Sequence, residues 1–156
     1  MEMKKQDGIE LIDRVISNRN LWNAYKKVKE NGGAPGIDGI TVQELKSHMH
    51  KYFEPLKRKL KDGSYQPQPV KRVAIPKTDG SKRFLGIPCV LDRVVQQAIL
   101  QVINPIIDPH FSNNSFGFRK GRNAHQAIKL AEQYYEEGYR TVVDCDLKSY
   151  FDTIHH

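Results

Sequence analysis

The sequence predicts an α+β fold, mainly helical, with one β-hairpin and a short strand late in the chain. Three observations carry that prediction. Apolar residues recur at helical spacing over long segments, most clearly over residues 90–107. Two six-residue runs, KRVAIP (71–76) and RFLGIP (83–88), flank the turn Thr78-Asp79-Gly80-Ser81. A β-branched run, Thr141-Val142-Val143, leads into the carboxylates Asp144, Asp146 and Asp152.

The 156 residues permit one modest core. Hydrophobic content of 38% and charged content of 28% describe a soluble globular protein. No stretch approaches the roughly 20 apolar residues of a membrane span. The opening MEMKKQDG is followed by no signal core. Cys89 and Cys145 are too few for a disulfide framework or a zinc site. Both read as buried thiols, in a reducing, cytoplasmic setting. Net charge is +7, unevenly spread. Lys57–Arg83 holds nine Lys/Arg against two Asp, whereas Glu132–His156 holds six acids against two Lys/Arg. A basic arm with an acidic strand suits a polyanion held near metal ions, and it also suits an ordinary solvated surface.

From the N-terminus, Asp7 and Glu10 predict a capping box. The helix that follows carries Leu11, Ile12, Val15, Ile16, Leu21, Trp22, Tyr25 and Val28. It breaks near Ser17–Asn20 and ends before Asn31-Gly32-Gly33, with Trp22 and Tyr25 in the core. Residues 31–39 (NGGAPGIDG) form a loop. It lacks the Lys-Ser/Thr ending of a phosphate-binding loop, which leaves a tight helix connection or a backbone that a nucleic-acid strand can approach. Thr41 and Glu44 predict a second capping box, opening a helix with Val42, Leu45, Met49, Phe53, Leu56 and Leu60 on one face. Its basic end, Lys57, Arg58, Lys59 and Lys61, also complements a helix C-terminus, and Gly63 ends it.

The hairpin over 71–88 clusters Lys77, Lys82 and Arg83 at its turn. Such a tip suits a phosphate-rich groove, or an exposed edge that resists aggregation. In the helix at 90–107, Asp92, Arg93, Gln96, Gln97 and Gln101 fall mostly outside the apolar face, and no ligand is expected there. Residues 111–121 (FSNNSFGFRKG) interleave Phe116 and Phe118 with Arg119 and Lys120. That pattern stacks bases and grips phosphates, or sinks the rings into the core. Asn123 and Gln126 cap a last helix that ends at Gly138.

Asp144 and Asp146 are two apart, so a regular strand would point both to one face. Carboxylates in that setting can hold Mg²⁺ for phosphoryl transfer. On the residues alone, capping and surface acids are the preferred reading.

Several ordered motifs resemble the N-terminal part of group II intron-encoded reverse transcriptases, also called maturases. They are APGIDG (34–39), YQPQPVKRVAIPKTDGSKRFLGIP (65–88), DRVVQQAI (92–99), SFGFRKGRNAHQAI (115–128) and DCDLKSYFDTIHH (144–156). The resemblance covers nearly the whole chain. It implies a right-hand polymerase, with an N-terminal extension and fingers over 1–112 and the start of the palm over 113–156. It implies that Asp146 is the first catalytic aspartate and a metal ligand, helped by the Leu147 carbonyl, with Mg²⁺ as cofactor. Asp144 stands at a less constrained position of the motif and takes no metal.

The resemblance further implies that Lys77 and Arg83 clasp the nucleotide triphosphate and that Phe151 lies beneath the incoming sugar. The loop with Gly36, Ile37 and Asp38 resembles a lid over template and primer. Lys71, Arg72, Lys82 and Arg119 join it as template-binding candidates. The implied activity is RNA-directed DNA polymerisation with a role in intron splicing. The implied partners are intron RNA, an RNA template, a DNA primer and deoxynucleoside triphosphates. The family's second aspartate block is not in the sequence, so the chain is expected to be a truncated hand, inactive alone. Its first palm strand would leave an edge that a homodimer could cover. A non-catalytic intron-RNA-binding module and a related bacterial reverse transcriptase of defence or retroelement type are the competing readings.

Overall fold

The structure, a computed structural model, describes residues 10–76, 78, 80–147 and 150. The chain divides into two compact units, Met1–Pro109 and His110–His156.

The first unit is built from α1 (Leu11–Val15), α2 (Asn18–Asn31), α3 (Val42–Lys61), a hairpin of β1 (Lys71–Pro76) and β2 (Lys82–Ile87), and α4 (Val90–Ile107). Helix α1 starts behind Glu10, whose side chain makes no cap, and Asp7 of the expected capping box lies outside the described residues. The break expected near Ser17–Asn20 is present. Ser17 caps α2 by accepting from the Asn20 N–H. Asn20 Nδ2 donates to the Val15 and Ala98 carbonyls, both at 2.9 Å, and Gln101 Nε2 donates to Asn20 Oδ1 at 2.7 Å. One amide thereby satisfies the end of α1 and fixes it to α4. The Thr41–Glu44 capping box of α3 forms as expected.

The core is a single cluster. Leu21, Ala24, Tyr25 and Val28 of α2 meet Val90, Val94, Val95, Ala98 and Val102 of α4, with Val42, Leu45, Met49, Phe53 and Leu56 of α3 alongside. The 3.6-residue period places these positions on one face of each helix. Tyr25 is buried and donates to the Val42 carbonyl at 3.2 Å. Trp22, expected in the core with it, is 39% exposed and lies against Tyr25 at a ring separation of 5.6 Å. Residue 22 sits at the margin of the apolar stripe, where a large ring covers the core edge.

Asp92 departs from the expectation most sharply. It is 4% exposed, the buried charged residue of this core among the described residues. The Tyr65 hydroxyl donates to its Oδ1 and the Gln68 N–H to its Oδ2. The carboxylate is satisfied by the segment that leads into β1, so α4 holds the base of the hairpin.

The second unit contains α5 (Ala124–Glu136), opened by the expected Asn123–Gln126 capping box. The expected strand at 141–143 is absent. Val142 and Val143 are 90% and 81% exposed, and residues 141–147 carry no ladder. A strand needs a paired neighbour for its N–H and C=O groups, and the described residues offer none to this segment. For the same reason Cys145 is exposed, against expectation, whereas Cys89 is buried as expected.

Burial, with the hydrogen bond to Asp92 and the carboxylate's charge behind it, holds the Tyr65 phenol well above the ordinary tyrosine range. A raised folded-state pKa means that the unfolded chain releases this proton first as pH rises. Stability is therefore full below the ordinary tyrosine pKa of about 10 and falls above it. Thermal unfolding followed by circular dichroism from pH 8 to 11 should show this alkaline loss. Tyr65→Phe should flatten it, while lowering stability at pH 8 by about 1–3 kcal/mol because Asp92 loses a donor. An unchanged alkaline slope in Tyr65→Phe would contradict the assignment, since Tyr25, also raised by burial, would then carry all of it.

Candidate nucleic-acid interface

The candidate residues of the first unit sit on two segments, the 31–39 loop and the hairpin. The first turn of α4 holds the loop tightly. Arg93 Nη1 donates to the Gly32 carbonyl at 3.1 Å and Nη2 to the Ala34 carbonyl at 2.7 Å. Gly36 is buried against Cys89, where a Cβ would stand 2.6 Å from the Cys89 Cα and N. Glycine is needed there because two backbones touch. Burial pushes the Cys89 thiol up; the Asp38 N–H opposes this and the Asp38 carboxylate adds to it. Asp38 Oδ1 also accepts from the Ile40 N–H at 3.1 Å, closing the loop. Gly33, Ala34 and Gly39 are exposed as well, but the large outward side chain is Ile37, 58% exposed, with Asp38 beside it. Of the three loop candidates, Gly36 therefore acts through its backbone from beneath, and Ile37 and Asp38 form the accessible tip.

The hairpin is antiparallel, with Lys71 opposite Ile87, Ala74 opposite Phe84 and Ile75 opposite Arg83. It begins its second strand at Lys82, one residue earlier than the sequence indicates. Alternation sorts its cations onto two faces. Lys71 and Arg83 share one face with Val73, Ile75, Leu85 and Ile87. Arg72 and Lys82 share the other with Ala74 and Phe84. The Arg72 guanidinium stacks 4.1 Å over the Phe84 ring, and Phe84 is 54% exposed. Both faces are largely solvent-accessible. Among the described residues, Lys71, Lys82 and Arg83 have no carboxylate partner. Arg83 and Lys82 are thus neighbours in sequence that serve opposite surfaces. Lys77 lies outside the described residues.

In the second unit, Arg119 is turned inward onto its own loop. Its Nη1 donates to the Ser112 and Ser115 carbonyls at 2.8 and 3.0 Å, and its guanidinium lies 5.4 Å from the Phe111 ring. Arg122 likewise donates to the Asn113 carbonyl and stacks near Phe116. These arginines shape the loop. Phe116 is half-buried, but Phe118 stands fully exposed with φ +56°, so it does not enter a core. A phenylalanine in the left-handed region is strained by about 1–2 kcal/mol.

Asp146 and Leu147 are exposed on the segment without a ladder. Carboxylate and carbonyl oxygens match Mg²⁺ in kind. In number they fall short: among the described residues no three His, Cys, Asp or Glu side chains gather to hold a metal. Phe151 lies outside the described residues. Among the described residues no helix is long and apolar enough to cross a membrane.

Sequence reasoning missed Asp92 and Arg93, adjacent positions that hold the 65–68 segment ahead of the hairpin and the 32–34 stretch of the loop. Their signal was a charged pair in the first turn of an otherwise apolar helix.

A family model described as reverse transcriptase (RNA-dependent DNA polymerase) matches residues 75–156. Protein YkfC of Escherichia coli (strain K12) is 41% identical over 126 residues, covering 78% of this chain and 33% of that protein. Group II intron-encoded protein LtrA of Lactococcus lactis subsp. cremoris is 36% identical over 134 residues, covering 85% of this chain and 22% of that protein. The putative COX1/OXI3 intron 1 protein of Saccharomyces cerevisiae is 31% identical over 136 residues, covering 87% and 16%. The chain spans a third or less of the curated relatives it matches.

Gly36→Ala should lower stability by about 1–3 kcal/mol, because its methyl group overpacks against Cys89 backbone that cannot yield. Urea unfolding measures this directly. A loss below about 0.5 kcal/mol would mean that the loop is not seated on α4 as described.

Proposed function

The chain belongs to the reverse transcriptase (RNA-dependent DNA polymerase) family, and from that premise we propose that it forms the fingers and early palm of an intron-encoded RNA-directed DNA polymerase. The parent activity is addition of deoxynucleotides to a primer 3′ end, joined to assistance in intron splicing and mobility. The domain division proposed is 1–112 for the extension and fingers and 113–156 for the palm. The observation that supports the reading best is the hairpin, which carries cations on two separate, solvent-facing surfaces.

Its two faces suit two ligands of one polymerisation step. Arg83, flanked by the apolar Ile75 and Leu85, offers a fork to the triphosphate of the incoming nucleotide, together with Lys77. Arg72 and Lys82 offer charge to the template backbone, and Phe84 a surface for stacking. Lys71 and Arg83 lie at opposite ends of their face, about 13 Å apart at roughly 3.3 Å per residue. One compact anion does not engage both, so Lys71 serves the template instead. The Ile37–Asp38 tip adds a further template contact, and Arg119, the candidate of the second unit, keeps its own 111–122 loop in shape. Phe151 is assigned to the sugar of the incoming nucleotide.

Asp146 and the Leu147 carbonyl are the residues that would hold Mg²⁺, which supplies charge stabilisation for phosphoryl transfer. Because they provide only part of a ligand set, no extension is expected from the 156 residues alone. The basic, solvent-facing hairpin also suits the second reading, an RNA-binding module without chemistry. On that reading RNA binding survives Asp146→Ala and weakens with salt.

The test is a chimera in which these 156 residues replace the matching segment of the Lactococcus protein. Mg²⁺-dependent primer extension on an RNA template should be retained, and Asp146→Ala should reduce it by about a hundredfold or more, as for loss of a transition-state stabiliser. A chimera that binds RNA but does not extend a primer would favour the binding module. In either case Arg72→Ala should reduce the slope of log affinity against log salt by about 1, the signature of one lost phosphate contact.

A further inference from the structure

We propose that Arg93 is a positioning residue for template binding, whose guanidinium fixes the 32–38 loop so that the Ile37–Asp38 tip is presented in one orientation. The proposal rests on the reading that this tip meets the template.

Four features of the geometry carry it. First, Arg93 spans two carbonyls of the loop, Gly32 and Ala34, with separate nitrogens of one planar fork. A bidentate contact fixes direction as well as distance, which a single point charge does not. Second, the loop supplies the space for that fork. A Cβ at Gly33, which has φ +100°, would stand 2.9 Å from Arg93 Nη1. Third, Arg93 Nε is buried with no hydrogen-bond partner among the described residues, so the hydrogen bonds of this guanidinium are all directed at the loop. Fourth, the fork points at backbone carbonyls, which leaves its two outer nitrogens already committed. Arg93 is thus placed to hold the loop from beneath, while Ile37 and Asp38 are the parts exposed to a ligand.

The clamp has a clear physical consequence. A nine-residue loop rich in glycine samples many conformations when untethered, and each competes with the one that binds. Fixing the loop in advance raises affinity with no added contact to the ligand.

The probe is an RNA template annealed to a DNA primer, bound by the 156-residue chain and followed by fluorescence anisotropy over a salt series. Two charge-conserving variants test the clamp from both sides. Arg93→Lys removes the fork, and Gly33→Ala crowds it while straining the φ +100° backbone, so a clamp acting through Arg93 predicts a double variant no weaker than the weaker single one. Each should weaken binding about tenfold, leave the salt slope unchanged, and speed amide exchange at residues 33–38. A phosphate-contacting Arg93 predicts the opposite: Arg93→Lys nearly neutral and Arg93→Gln lowering the slope by about 1. A purely structural Arg93 predicts a lower melting temperature with unchanged affinity well below it. Either result overturns the proposal. Ile37→Ala serves as the control on the underlying reading. If it leaves affinity unchanged, the tip is no template contact and the proposal falls with that reading. If it weakens binding while Arg93→Lys and Gly33→Ala do not, the proposal alone fails.

Discussion

The first turn of α4 is the constraint on which the first unit depends. Over five consecutive positions it presents Cys89, Val90, Asp92 and Arg93, and each makes a different kind of contact. Val90 enters the core. Cys89 forms the floor under Gly36. Asp92 takes the Tyr65 hydroxyl and the Gln68 N–H, and Arg93 takes the Gly32 and Ala34 carbonyls. One rigid helix end thereby fixes two segments that come from distant parts of the chain. Rigidity is inherited from the core below, where α2 and α4 interlock through small and branched apolar residues.

This arrangement separates folding from recognition. The groups that hold the segments are buried or half-buried, and the groups left outward are Ile37, the cations of the hairpin and Phe84. Charge and stacking groups on a fixed backbone suit the proposed contact with a template. The second unit follows the same rule on a smaller scale. Arg119 and Arg122 are spent on carbonyls of their own loop, and Phe118 and Lys120 face outward.

Much of this was legible in the sequence. The helices follow from their 3.6-residue period, both inner capping boxes formed, and the hairpin lies where its turn residues put it. The resemblance to intron-encoded reverse transcriptases, read from ordered motifs, agrees with the family match over residues 75–156. What was not legible depended on partners far along the chain. Asp92 looks like a solvent residue on a helical wheel, because Tyr65 lies 27 positions away and the wheel does not contain it. Arg93 and Ala34 are 59 apart. The Thr141–Val143 run has strand propensity, but propensity supplies no neighbour to pair with, so Val142 and Val143 stand in solvent and Cys145 with them. Trp22 stands outside because Leu21, Tyr25 and Val28 fill the buried stripe of α2 and residue 22 lies at its margin.

The central claim is that α4 fixes the 33–38 loop, and with Asp92 the 65–68 segment ahead of the hairpin, for contact with nucleic acid. Hydrogen–deuterium exchange of the chain with and without an RNA template–DNA primer duplex tests it most directly. The account predicts that binding slows exchange at residues 33–38 and 71–87, while the outer faces of α2 and α3 exchange as before. Protection confined to α2 and α3, with the loop and hairpin unchanged, would contradict it.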